Sequence, residues 1–187
     1  MTLIFIDTDI LFSFFAVNQE KLNQFENEGT TGDKYLDAVL SLIKKIEQED
    51  QKICISEISI LELACLLKRR ESQDKISQII TKLYSICDVL PISDQTIKLA
   101  WYFGSNFKMH SGDAIHLSFS LFYDLDCIIV KDKEFFESLT EIIQDYNDNG
   151  PKGLIEYFNS IKIATGVPQI IINKLSNLNK LKLKSFG

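Results

Sequence analysis

The stretch LIFIDTDIL, residues 3–11, decides the fold class. Four apolar residues read as a buried strand, Asp7 closes it, and apolar residues resume as ILFSFFAV, the start of a helix. A strand running straight into a helix is half of a β-α-β unit. An acid at that junction lies where the strand ends of an open α/β sheet converge on one crevice. Three further acids share this kind of position: Glu62 in ICISEISILELACLL, Asp113 in SGDAIHLSF, and Asp132 in CIIVKDKEFF.

Carboxylates gathered in one crevice repel. At ~5 Å and an effective dielectric of ~20, each pair costs roughly 3 kcal/mol. Such a group persists only by taking up protons or by holding a cation, and a cation is the expectation here. Each acid also has a plainer use. Asp7 could cap the next helix, although Thr8 and Asp9 are equally placed for that. Asp9 is either such a cap or a group that holds metal-bound water. Ser59 and Glu62 match a capping box, but Ser56 is the better cap because it directly follows ICI, which leaves Glu62 in the second turn in need of a partner. Glu57, near the helix start, serves the helix dipole. Asp113 follows Ser-Gly at a helix start, and Asp132 follows CIIVK as Asp7 follows LIFI.

Alternation of strands and helices organises the rest of the chain. Residues 34–49 carry helical spacing, KICIS is a strand, and residues 57–70 and 74–86 are helices. CDVLPI is a strand closed by Pro91. Ser93 caps a helix running to about Phe107, and Ser111 caps the next one. CIIVK is a fourth strand, DKEFFESL a short helix, and TEIIQDY a fifth, edge strand. Residues 19–33 read as a polar loop or clip, and LIEYFNSIKIA as a further helix. The class is α/β: a three-layer α/β/α sandwich with a central, mainly parallel sheet of four or five strands. Residues 1–145 form one domain, and 146–187 a helical, basic extension packed on it or trailing from it.

The 187 residues carry a net charge of −6, with +5 in residues 151–187 against −11 in the first 150. A basic tail on an acidic body meets a polyanion or folds back on the body. No apolar run is long enough to span a membrane. The N-terminus lacks the features of a signal peptide, so a cytoplasmic protein is expected. Cys54, Cys65, Cys87 and Cys127 form no CxxC pair and are expected to be buried thiols. Trp101, Tyr102 and Phe107 are expected in the core, base stacking being the other use of such rings. His116, one turn after Asp113, is expected to pack or to face solvent.

With these segments quoted, the chain resembles the PIN-domain nucleases, many of them VapC-like toxins of toxin–antitoxin pairs. The resemblance covers residue 3 to about 137. It rests on FIDTDIL, ISEISILEL, DAIHLSFSL and IIVKDKEFF, in family order. It implies that Asp7, Glu62, Asp113 and Asp132 are the catalytic, metal-ligating quartet and hold Mg²⁺ or Mn²⁺. It also implies an RNA substrate cleaved as single strands, a small antitoxin protein as partner and a homodimer; the missing apolar span, read above, is why no membrane is expected. Basic groups at the rim would grip the RNA backbone, with Lys68, Arg69, Arg70, Lys131 and the tail lysines as candidates, although each taken singly reads first as a solvated surface charge. One departure is Val130, where the family usually has Thr or Ser two residues before the last acid. Two other readings compete. A PIN-like binding module without activity would work without metal. A haloacid-dehalogenase-like phosphatase would need an acid where Leu117 stands after Gly112-Asp113.

Overall fold

The computed structural model describes residues 2–49, 51–107, 109–149 and 182–185. It divides into two units, Met1–Val89 and Leu90–Phe186.

In the first unit, β1 (Thr2–Ile6) runs into α1 (Thr8–Phe15), which is followed by α2 (Gln19–Glu28) and α3 (Lys34–Gln48). Then come β2 (Gln51–Ser56), α4 (Glu57–Leu67), α5 (Gln73–Ile86) and β3 (Cys87–Leu90). The strand order is β3-β2-β1, and β1 and β2 pair in parallel with Phe5 opposite Cys54. Parallel neighbours require helical crossovers, which is why each strand gives way to helix. Phe5 and Ile6 of β1, Ile10 and Leu11 of α1, and Leu63 and Leu67 of α4 are fully buried. Each such side chain contributes about 1.5–3 kcal/mol relative to exposure.

The second unit contains α6 (Asp94–Asn106), α7 (Ser111–Phe122), β4 (Cys127–Val130), α8 (Lys133–Asn149) and β5 (Lys182–Ser185). β4 and β5 pair in parallel, Cys127 opposite Lys182 and Val130 opposite Ser185. All four residues of β4 are buried, as are Phe103, Leu117 and Phe119. The architecture is the expected α/β/α sandwich, a parallel sheet flanked by helices. Among the described residues no helix is long and apolar enough to cross a membrane.

The expected element positions hold for β1, α3, β2, α4, α5, β3 and β4. Ser93 caps α6 as expected, in a reciprocal capping box with Thr96. Four expectations are corrected. Residues 19–28 are helix, not loop: Asn18 caps α2 by accepting from the Lys21 N–H, and Gly29 closes it in the left-handed conformation at φ 75°. No residue of α2 is buried, so it carries little apolar period to read. TEIIQDY belongs to α8, because Phe135, Leu139 and Ile142 bury one helical face at intervals of four and three. The additional strand is residues 182–185 instead. α7 begins one residue early, so His110 holds the cap position and Ser111 is the first helical residue. The helix expected at LIEYFNSIKIA lies outside the described residues.

The turn between α2 and α3 is tied down by one carboxylate. Asp37 accepts from the hydroxyls of Thr30 and Thr31 and from the Thr31 N–H, each at 2.6 Å. These hydroxyl bonds hold its carboxyl below the ordinary value.

Candidate functional site

In the first unit the acids flank the β1–α1 junction. Asp7 occupies the cap position of α1, yet its carboxylate bonds none of the helix N–H groups, so capping does not account for it. Thr8, 4% exposed, donates its hydroxyl to Glu62 Oε2 at 2.8 Å. That bond brings the start of α1 to the second turn of α4. Ser56 caps α4 by accepting from the Ser59 N–H, which excludes the Ser59–Glu62 capping box. Glu62 therefore faces across to α1. Asp9 is exposed in the first turn of α1, where a carboxylate favours the helix dipole.

In the second unit Asp113 lies half-buried in the first turn of α7, and the His110 side chain makes no cap bond there. Asp132 stands two residues past the end of β4, and its Oδ1 accepts from the Glu134 N–H at 2.7 Å, which fixes the entry into α8. Val130, at the position that departs from the family pattern, is 1% exposed and ends β4. His110 and Glu134 approach to 3.8 Å on the surface. That pair stands three residues before Asp113 and two after Asp132, a relation that no sequence motif marks.

Asp7 follows β1 at the cap of α1, Glu62 lies in the second turn of α4, Asp113 in the first turn of α7, and Asp132 two residues past the end of β4. Among the described residues, no three His, Cys, Asp or Glu side chains are grouped as metal ligands. The contact that the structure draws is Thr8 to Glu62. The donor chemistry suits a hard divalent cation, since all four are carboxylates and neither His nor Cys belongs to the set. His116 is not a member: it is 2% exposed inside α7. Leu117, also fully buried, occupies the place where the phosphatase pattern needs an acid.

The cations expected to grip a backbone are at the surface. Lys68, Arg69, Arg70 and Lys131 are exposed, and the Arg70 guanidinium stacks over the Phe12 ring at 5.2 Å. The aromatic expectation divides. Tyr102 and Phe107 are buried, and burial pushes the Tyr102 hydroxyl up to about 12. Trp101, expected in the core, is 57% exposed on α6. Cys65, on α4, is likewise exposed rather than buried.

Residues 4–140 match the family described as PIN domain, and the chain belongs to that family. No curated protein matches it significantly. Among solved structures it is similar to the Mycobacterium tuberculosis toxin VapC20, described as cleaving the sarcin–ricin loop. That similarity spans 72% of this chain and 94% of the other, with a TM-score of 0.53 and 15% sequence identity. At that identity the likeness is one of fold.

Proposed function

We propose that this chain is a divalent-metal-dependent ribonuclease that cleaves phosphodiester bonds of single-stranded RNA. Asp7, Glu62, Asp113 and Asp132 hold the Mg²⁺ or Mn²⁺, and Asp9 keeps metal-bound water in place. The observation that carries the reading is the Thr8–Glu62 bond beside an Asp7 carboxylate that does not cap its helix, in a chain of the PIN-domain family. A bound hard cation supplies a polarised water and neutralises the phosphate. The protein's part is to hold carboxylates in place. Thr8 fixes the Glu62 rotamer, and the Glu134 N–H fixes Asp132. The exposed cations of the α4 end, Lys68 and Arg69, and Lys131 draw in the phosphate backbone that an acidic pocket alone repels. Under the same reading the chain is the toxin of a toxin–antitoxin pair, working in the cytoplasm as a homodimer and silenced by a small antitoxin protein. The likeness to VapC20 supports that role.

The test is incubation with mixed single-stranded RNAs in Mn²⁺ or Mg²⁺ against chelator, comparing wild type with Asp113→Asn. Metal-dependent cleavage lost in the variant supports the reading. Cleavage that survives both chelator and substitution refutes it.

A further inference from the structure

Within the second unit, α6 and α7 enclose an open cavity of about 460 Å³. Ile97, Ala100, Trp101, Gly104 and Ser105 line it from α6, one continuous helical stripe at intervals of three and four. Ser111, Ala114 and Ile115 line it from α7 on the same period. The floor is apolar: Ala100, Met109 and Ala114 are buried. The two helices approach closely here, since a Cβ on Gly104 would stand in ordinary contact with that of Ala114, at 3.9 Å. The rim differs from the floor. Trp101 leaves 57% of its surface in water, a large cost for an indole that the fold has not buried. Ser111, an exposed residue, lines the cavity from the α7 side.

An apolar slot with an exposed indole on one side and a hydroxyl on the other suits a flat, neutral ring with polar edges. Unpaired bases of single-stranded RNA have that shape and chemistry, and they are held by stacking on aromatic side chains. The cavity lies within the size range of small-ligand sites. Its place in the fold selects the ligand. Ser111 at the cavity and Asp113 of the proposed site share the first turn of α7. They are separated by about 3 Å along the helix axis and lie on nearly opposite sides of it. A strand of RNA passing over the N-terminal end of α7 therefore meets the slot on one side and Asp113 on the other.

We infer that the α6–α7 cavity is a nucleobase subsite, in which an unpaired base of the RNA substrate stacks on Trp101. The inference rests on the ribonuclease reading for the identity of its ligand and deepens it by naming a residue that reads the substrate. Trp101 is a binding residue, remote from the bond that breaks.

The chain contains a single tryptophan, so its intrinsic fluorescence reports this position alone. The full-length chain carrying Asp113→Asn is titrated with short single-stranded oligoribonucleotides, and with abasic ribose-phosphate oligomers of the same length. Quenching by the first and not by the second is expected. Trp101→Ala is expected to weaken RNA binding by roughly 5- to 150-fold and Trp101→Phe to retain most of it. In the otherwise wild-type chain Trp101→Ala is expected to raise KM with kcat little changed. Because Trp101 is exposed, a circular-dichroism melt of each variant should match its parent. Equal quenching by abasic oligomers, no quenching, or unchanged affinity in Trp101→Ala overturns the inference. So does a loss of self-association in Trp101→Ala with RNA affinity intact, which would make this face a protein contact. The two readings fail separately. Trp101-dependent binding without metal-dependent cleavage by wild type leaves the subsite and removes the nuclease, and cleavage indifferent to Trp101 does the reverse.

Discussion

Thr8 and Glu62, 54 positions apart, are joined by a 2.8 Å hydrogen bond from the Thr8 hydroxyl to Glu62 Oε2. Thr8 is buried, so its hydroxyl needs a partner, and Glu62 is half-buried on an apolar helix, so its carboxylate needs a donor. Each answers the other's desolvation. Hydrogen bonds to a charged group contribute about 1.5–3 kcal/mol. Thr8→Val keeps the shape and removes the donor. It is expected to lower stability by about that amount, read as a Tm several degrees lower. Thr8→Ser is expected to stay near wild type. If Glu62 works as proposed, Thr8→Val also weakens Mn²⁺ binding, which Thr8→Ser does not.

Asp37 gives a pH signature. The Thr30 and Thr31 hydroxyls lower its carboxyl below the ordinary 3.8. A carboxyl depressed in the folded state contributes stability that is present above the unfolded value and lost as pH falls through the folded one. Thermal melts from pH 6 down to pH 3 are therefore expected to fall below about 3.8 in the wild type, and less steeply in Asp37→Asn. Identical profiles would show that the clasp adds nothing.

Thiol reactivity separates the cysteines. Cys65 is exposed, while Cys54, Cys87 and Cys127 are buried. Burial first, then the neighbouring Cys54 and Asp88, pushes the Cys87 thiol up to about 12. Mass spectrometry after brief iodoacetamide treatment at neutral pH is expected to find Cys65 alkylated first and Cys87 untouched. A thiol raised in the folded state favours folding below its unfolded value of 9.0 and loses that contribution as pH climbs toward about 12. Replacing Cys87 with Ala is expected to flatten the alkaline side of the stability profile.

The pairing of β5 with β4 is also open to test. Leu183 stands opposite Ile128 in that ladder. Proline there fixes φ, has no N–H and restricts the preceding residue. Leu183→Pro is expected to cost about 1–3 kcal/mol, measured by urea denaturation. An unchanged midpoint would mean that the last strand adds no stability.

The legible parts of this chain were those whose signal is local. Apolar runs ending in an acid placed β1 and β4, and Ser56 and Ser93 announced their helices, because a cap must sit beside what it caps. α2 stayed hidden because a helix with no buried residue has no apolar period, although Asn18 and Gly29 bracketed it. TEIIQDY misled because seven residues in isolation do not separate a helical face from a strand. Only the frame set by Phe135, Leu139 and Ile142 resolves it. The four acids stand out in the sequence by their positions after apolar runs and near helix starts. Thr8 as the partner of Glu62 does not, since nothing in either segment points 54 positions away. Trp101 was misplaced because apolarity fixes what a residue prefers and the packing of α6 on α7 fixes which face has room.

The account depends most on four separate carboxylates sharing one divalent ion, and a Mn²⁺ titration followed by electron paramagnetic resonance tests that directly. Wild type is expected to bind Mn²⁺ stoichiometrically, and Asp7→Asn, Glu62→Gln, Asp113→Asn and Asp132→Asn each to lose most of that affinity while melting normally. A wild-type chain that leaves Mn²⁺ free in solution, or four variants that bind it as well as their parent, would contradict the account.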